Sequence, residues 1–290
     1  MKLSIITPVY NGEKTIEKTI MSILAQNYDG LEYIIVDGGS TDGTLEIIKK
    51  YEAFISNIIS EKDEGIADAY NKGIKLAGGE LIGIIASDDE LTRGALKALA
   101  EQYDGCSDVV SGSLIRKNQE RCKLVKSDKN LEQLRTHTSI AHPATFIRKD
   151  AYEKYGLYSL KYHCAMDREL LLRYFVSGAS FQIIEYPLTI FNVGGISTYN
   201  PVKSAYPEDR QISIEYGMGK IHAGILFWKA VSHFYICKGL KDIMANIPAF
   251  RFFYQKYNKS KVFMREEEIM CFVNEWNGDN DEGCLSDYNF

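Results

Sequence analysis

Short continuous apolar runs rich in β-branched residues alternate with stretches of helical spacing along the first hundred positions. Leu3 to Thr7 is one such run, stopped by Pro8, and Glu13 to Ala25 follows with Ile16, Ile20, Ile23 and Leu24 on one helical face. Tyr33-Ile34-Ile35-Val36 is a second run, closed by Asp37-Gly38-Gly39-Ser40. Thr41 to Tyr51 then reads as a helix capped by Ser40 or Thr41. Ile58-Ile59 is a weaker third run, followed by a helix from about Ile66 to Leu76 that ends at Gly78-Gly79. Leu81 to Ala86 is the fourth and leads straight into Ser87-Asp88-Asp89, with a helix expected over Leu91 to Ala100.

Strands that are apolar throughout, separated by helices, predict a mostly parallel sheet covered on both faces. Ligands of such sheets bind beyond the carboxyl ends of the strands. Each run here ends in polar residues: Thr7-Pro8-Val9-Tyr10-Asn11, Asp37 to Asp42, Glu61-Lys62-Asp63-Glu64-Gly65 and Ser87-Asp88-Asp89. Four such clusters on one edge constitute a candidate site.

From about residue 106 the rhythm changes. Val109 to Arg116 and Cys122 to Lys126 form a hairpin or meander, Ala144 to Arg148 is a strand, and Ala165 to Val176 is a helix. Phe181 to Tyr186 and Leu188 to Asn192 are two strands joined at Pro187. The pattern divides the chain into an α/β half over 1–105, a mixed half over 106–215 and a helical region over 216–290. Between Lys220 and Arg265 nine Lys/Arg face one acid, Asp242, whereas the tail from Glu266 carries eight acids and no base. Ile221, Ile225, Trp228, Val231 or Ser232, and Tyr235 share one helical stripe flanked by Lys229 and Lys238. Cations beside Trp and Phe suit an in-plane helix on anionic lipid, and they suit packing against the rest of the chain equally.

Composition narrows the function. A formal net charge of −5 offers no global basic excess for a nucleic-acid backbone. The six cysteines contain no CxxC pair, which points to neither a zinc site nor a disulfide framework. No stretch is long and apolar enough to span a bilayer, and the apolar run after Met1 is too short for a signal peptide, so a reducing, cytoplasmic setting is expected.

Two adjacent carboxylates at the end of a buried strand, Asp88 and Asp89, repel and lose hydration unless a cation compensates them. A hard divalent ion shared with substrate phosphates is the natural partner. Asp37, at another strand end, can accept a hydrogen bond from a pyrimidine N–H, and the small residues after it let a ligand approach the backbone. Read alone, Asp37 to Thr44 is equally a strand–turn–helix connection with a capping acid.

These motifs, in this order and with Glu61-Lys62-Asp63-Glu64-Gly65-Ile66-Ala67-Asp68-Ala69-Tyr70-Asn71-Lys72-Gly73 between them, resemble the nucleotide-sugar-binding half of bacterial family 2 glycosyltransferases. The match is dense over residues 1 to about 100 and thinner over 140 to 200. The resemblance implies a GT-A fold: a Rossmann-like, mostly parallel central sheet with helices on both faces and a helical C-terminal extension. It implies a nucleotide-sugar donor, most often a UDP-sugar, held by Thr7, Pro8, Tyr10, Asn11, Asp37, Gly38, Asp42, Asp63, Asn71, Lys72, Ser87 and Asp88. Asp89 would ligate Mn²⁺ or Mg²⁺ directly, with Asp88 touching ribose or metal. Asp167 matches the position of the catalytic base, although Glu169 is equally eligible by composition, and Met166 stands where many relatives carry a second acid. His142 resembles a residue near the acceptor, and the Gly194-Gly195-Ile196-Ser197 stretch resembles a loop that folds over the donor.

The activity so implied is an inverting transfer of a sugar to a glycan or lipid-linked glycan in bacterial surface-polysaccharide assembly, at the inner face of the membrane. A nucleotide-sugar-binding module without turnover is the alternative, and the retention of Asp37, Asp88, Asp89 and Asp167 together argues against it. A sugar-1-phosphate nucleotidyltransferase would carry basic residues in a glycine-rich loop after the first strand, and none precedes Lys14. Neither GxGxxG after the first strand nor GxxxxGK[ST] is present.

Overall fold

The computed structural model describes residues 1–118, 121–194 and 201–246. Its strands are β1 (Leu3–Val9), β2 (Leu31–Asp37), β3 (Asn57–Ser60), β4 (Leu81–Ile84), β5 (Glu90–Leu91), β6 (Val109–Asn118), β7 (Arg121–Val125), β8 (Thr145–Arg148) and β9 (Phe181–Asn192). Its helices are α1 (Ile16–Leu24), α2 (Thr44–Lys50), α3 (Ile66–Leu76), α4 (Ala95–Gln102), α5 (Lys149–Tyr155), α6 (Met166–Val176), α7 (Ala205–Glu215) and α8 (Lys220–Asn246). The strands form one mixed sheet in the order β3-β2-β1-β4-β8-β6-β9-β5, with β7 paired to β6. Its first four strands are parallel, as the apolar runs predict.

Those runs are apolar throughout because each face of the sheet carries its own core. Leu3, Ile5, Tyr33, Ile35 and Leu81 pack on one side with Ile16, Ile20 and Ile23 of α1 and Leu96 and Leu99 of α4. Ile6, Ile34, Val36, Ile82 and Ile84 pack on the other with Tyr70 and Ile74 of α3 and Leu170 to Leu172 of α6. Gly83 lies opposite Phe146 in the β4–β8 ladder, and a side chain there would overlap the Phe146 ring.

Four local expectations are corrected. Strand β1 does not stop at Pro8 but runs on to Val9. Its ladder to β4 ends at Ile6–Ile84, so no partner on that side waits for the N–H that proline lacks. The segment around Pro187 is one twelve-residue strand, β9, in which the proline falls at a register shift against β6. Neither Ser40 nor Thr41 caps α2. Asp42 Oδ1 accepts the Thr44 N–H at 3.1 Å, and Glu13 Oε2 accepts that of Gly43 at 3.0 Å. The helix expected over Leu91 to Ala100 starts later, at Ala95, because Glu90 and Leu91 pair with Ile190 and Thr189 as a short strand.

Candidate functional site

The parallel strands β1, β2 and β4 bring their carboxyl ends to one edge. Asp37 lies level with Val9 on β1, and the Gly38 N–H donates to Val9 O at 2.9 Å. On the other flank of β1, the Ile85 N–H donates to Ile6 O at 3.0 Å, and Ser87-Asp88-Asp89 follow. Two strand spacings of about 4.8 Å separate the end of β2 from that of β4, a span of roughly 10 Å that one nucleotide can bridge.

The first two polar clusters are stitched together. The Asn11 N–H donates to Ser40 Oγ at 2.8 Å, the Thr41 N–H to Asn11 Oδ1 at 2.9 Å, and the Glu13 N–H to Asp42 Oδ2 at 3.2 Å. Asn11 occupies the left-handed region at φ 51°, which its short amide side chain tolerates. Asp37 is fully buried and holds the turn itself, accepting the Ser40 N–H at 3.1 Å and the Ser60 hydroxyl at 2.6 Å. Thr7 is likewise interior, accepting the Tyr33 hydroxyl at 3.2 Å. Tyr10 is 64% exposed at the rim and offers an aromatic face. Asp63 Oδ1 accepts the Gly65 N–H at 3.0 Å, and its other oxygen fills the space a side chain at Gly38 would need. Lys72 pairs with Glu61 at 2.9 Å and Asp68 at 3.1 Å beneath the same loop.

The acid pair is held from two elements, α1 and β9. Asp89 is 1% exposed, and its backbone carbonyl accepts the Thr19 hydroxyl at 2.7 Å. Its Oδ1 accepts the Asn192 N–H at 3.0 Å, while Asn192 Nδ2 donates to Asp88 O at 2.6 Å. Burial, with the charges of Asp88 and Glu90 adding to it and the Asn192 N–H opposing, pushes the Asp89 carboxyl up to about 8. Burial also raises the half-buried Asp88. Among the described residues no three His, Cys, Asp or Glu side chains converge as a complete metal cage. A buried carboxylate beside a second one, with no cage around them, fits a hard cation whose remaining ligands come from substrate phosphates and water.

Asp167 lies in the first turn of α6, half-buried, its Oδ1 accepting the Arg168 N–H at 2.7 Å. Burial raises the Tyr70 phenol far above its usual range, and the charges of Asp167, Asp89 and Asp88 all add to that shift. The His142 ring lies nearly parallel to that of Tyr70, with centroids 6.1 Å apart, and its Nε2 shares a 2.6 Å hydrogen bond with the Tyr158 hydroxyl. Burial depresses the imidazole, against the charge of Asp167, and so favours its neutral form. Asn71 braces this wall rather than the rim: its carboxamide accepts from the Tyr158 N–H at 3.0 Å and donates to Tyr158 O at 2.9 Å.

Glu169, equal to Asp167 by composition, is separated from it by structure. It is 4% exposed, and its Oε1 accepts from Arg173 Nε at 2.9 Å and from the Tyr216 hydroxyl at 2.6 Å. Glu169 is thus taken up by Arg173 and Tyr216, whereas the charge of Asp167 acts on Tyr70 and His142. Gly194 follows Asn192 beyond β9, whereas Gly195 and Ser197 lie outside the described residues.

Sequence reasoning did not select Tyr70, Tyr158 or Asn192. Tyr70 stands inside a quoted motif, but nothing local distinguishes it from a core aromatic, and Asn192 meets Asp89 only across the sheet.

The family model described as glycosyl transferase family 2 matches residues 4–175. A PGL/p-HBAD biosynthesis glycosyltransferase of Mycobacterium bovis is 30% identical over 182 residues, covering 61% of this chain and 70% of its own. The putative teichuronic acid biosynthesis glycosyltransferase TuaG of Bacillus subtilis is 38% identical over 102 residues, covering 34% of this chain and 40% of its own. Among solved structures, S. aureus TarS 1-349 in complex with UDP-GlcNAc superposes with a TM-score of 0.61 at 21% identity, covering 78% of this chain and 70% of that one. The mannosyltransferase PcManGT from Pyrobaculum calidifontis, in complex with GDP-Man and Mn2+, gives 0.57 at 17% identity, covering 95% and 87%.

Proposed function

The chain belongs to glycosyl transferase family 2, and on that premise we propose that it moves a sugar, with inversion, from a UDP-sugar to a hydroxyl of a glycan or lipid-linked glycan. The observation that supports this reading is that the half-buried Asp167, in the first turn of α6, and the acid pair Asp88–Asp89 after β4 all act by their charge on one buried side chain, Tyr70. A displacement with inversion needs a base on one side of the anomeric carbon and charge compensation for the leaving diphosphate on the other.

Tyr10 stacks on the base, and the stitched loops at Asn11 and Asp37 to Asp42 shape the nucleoside slot. Asp89 and Asp88 would hold Mn²⁺ or Mg²⁺, which when bound would neutralise charge on the diphosphate. Asp167 takes the proton of the acceptor hydroxyl as its oxygen attacks the anomeric carbon from the face opposite the diphosphate. Neutral His142, fixed by Tyr158, lines the acceptor side and adds no competing cation beside the base. The relatives named for PGL/p-HBAD and teichuronic acid biosynthesis support an acceptor of polysaccharide assembly.

Contact with the cytoplasmic face of the membrane is part of the same proposal. On α8 the stripe Ile221, Ile225, Trp228 and Tyr235 turns outward, with Trp228 65% exposed, while Val231 is buried. No helix among the described residues is long and apolar enough to cross a membrane, so the contact would be in-plane.

A thermal-shift panel of nucleotide sugars with and without Mn²⁺, followed by nucleoside diphosphate release, tests the reading. One UDP-sugar should raise the melting temperature in a metal-dependent way, and release should vanish in Asp89→Ala and Asp167→Asn. Donor binding without release for any acceptor would replace transfer by a binding module. Undiminished release by Asp167→Asn would overturn the assignment of the base.

A further inference from the structure

The polar residues of α7 converge on the start of α6. Glu208 accepts three consecutive backbone N–H groups just before that helix: His163 to Oε1 at 3.0 Å, and Cys164 and Ala165 to Oε2 at 2.9 and 2.8 Å. The cap residue Ala165 has no side chain able to do this, so α6 receives its anionic cap from a helix more than forty residues away. Asp209 Oδ1 and its carbonyl both accept from Arg168 Nη1, at 3.1 and 2.8 Å. Arg168 is fully buried and also donates to Leu134 O, Arg135 O and Ser213 Oγ. Two turns further on, Tyr216 holds Glu169, and Glu215 accepts from the Tyr162 hydroxyl at 2.6 Å and from Lys161. These bonds bracket Asp167 in sequence on both sides. The Asp167 carboxylate itself accepts the Arg168 N–H, and its charge acts on Tyr70 and His142.

We propose that α7 is a positioning strap for the candidate base: Glu208, by gathering the amides of His163 to Ala165, fixes the first turn of α6 and with it the direction in which the Asp167 carboxylate points. The proposal rests on the reading of Asp167 as the base. Its physical content is that a small misplacement of a reacting group is costly to rate and nearly neutral to ground-state binding of a donor seated elsewhere. Glu208 acts through the amides of His163 to Ala165 and not on the reacting groups, so it is a positioning residue.

The test uses the full chain as wild type, Glu208→Ala, Glu208→Asp and Asp209→Asn. Hydrogen exchange of the peptide spanning 160–170 needs no substrate. In Glu208→Ala it should lose protection, while α3 and the β1–β4 strands keep theirs. Hydrolysis of UDP-glucose, UDP-galactose and UDP-GlcNAc, with water as acceptor, gives the catalytic arm. In Glu208→Ala kcat should fall about tenfold or more with the Kd for UDP and Mn²⁺ unchanged, and Glu208→Asp should recover part of it. Asp209→Asn, which keeps the Arg168 contact through its amide oxygen, should show a smaller loss, and it serves as the second variant if Glu208→Ala does not fold. Unchanged exchange in Glu208→Ala, or a loss of UDP binding that parallels the loss of kcat, would overturn the strap. Should Asp167→Asn retain wild-type turnover, the base assignment fails first, and exchange alone then reports whether Glu208 still orders the turn.

Discussion

Asn192 donates its backbone N–H to Asp89 Oδ1 at 3.0 Å, joining the last residue of β9 to the acid that follows β4. The same residue reaches back with its amide to Asp88 O at 2.6 Å and Glu90 Oε1 at 3.4 Å. One asparagine therefore fixes both the backbone and one carboxylate oxygen of the acid pair.

Replacing Asn192 by Ala removes the side-chain bonds and keeps the N–H to Asp89. Residues that orient ligating groups are worth about 10–100-fold in metal affinity. Titration of Mn²⁺ in the presence of UDP should show a loss in that range, with the fold retained by circular dichroism. An unchanged Kd would mean that the N–H alone sets the pair.

Asp89 makes stability depend on pH. Unfolded, its carboxyl ionises near the ordinary carboxylate value; folded, it keeps its proton up to about 8. Between those limits the native state binds the extra proton, so metal-free stability falls as pH rises from about 4 to about 8 and levels off above. A divalent cation compensates the ionised form, so Mg²⁺ should raise the melting temperature more at pH 8 than at pH 6. Asp89→Asn should flatten the pH dependence and abolish the Mg²⁺ effect. A melting temperature that climbs from pH 5 to 8 without metal would contradict the burial of this acid.

Gly38→Ala puts a methyl group where the Asp63 carboxylate lies. The obstruction is the end of a side chain, not backbone, so the chain should fold with a small loss of stability. Asp63 must swing away, and thermal shifts with UDP should shrink while those with Mg²⁺ alone persist. Equal UDP shifts in variant and wild type would remove Gly38 and Asp63 from the nucleotide slot.

Arg168→Ala deletes the buried guanidinium and leaves Asp209 and three carbonyls or hydroxyls without their donor. Removing one partner of a buried ionic network costs about 3–5 kcal/mol, so denaturant midpoints should fall substantially. Arg168→Lys should recover only part, because one ammonium cannot reproduce a planar five-donor fork. A loss below about 1 kcal/mol would mean that the network is as weak as a surface ion pair.

The acids of the site were legible because each sits at the end of a contiguous apolar run. Parallel strands flanked by helices force such ends to a common edge, so Asp37, Asp88 and Asp89 could be grouped with no coordinates. The two prolines misled for one reason. Pro8 and Pro187 lack an N–H, yet at Pro8 the neighbouring ladder has already ended, and at Pro187 the register shifts. Whether a missing donor matters depends on a partner that the sequence does not display. The same holds for the cap of α2, where Glu13, thirty residues upstream, replaces the expected Ser40 or Thr41.

What the sequence determined by itself was the sheet's parallel core, the edge on which chemistry gathers, and the residue types placed there, all consequences of local periodicity and of motifs a few residues long. Tertiary structure alone tied Glu169 to Arg173 and Tyr216, put the charges of Asp167 and the acid pair on Tyr70, gave Asn192 to Asp89, and brought Glu208 to the amides of α6. Each of those outcomes depends on which groups meet after long loops close, and hydrogen bonds form or fail over tenths of an ångström that no spacing along the chain encodes.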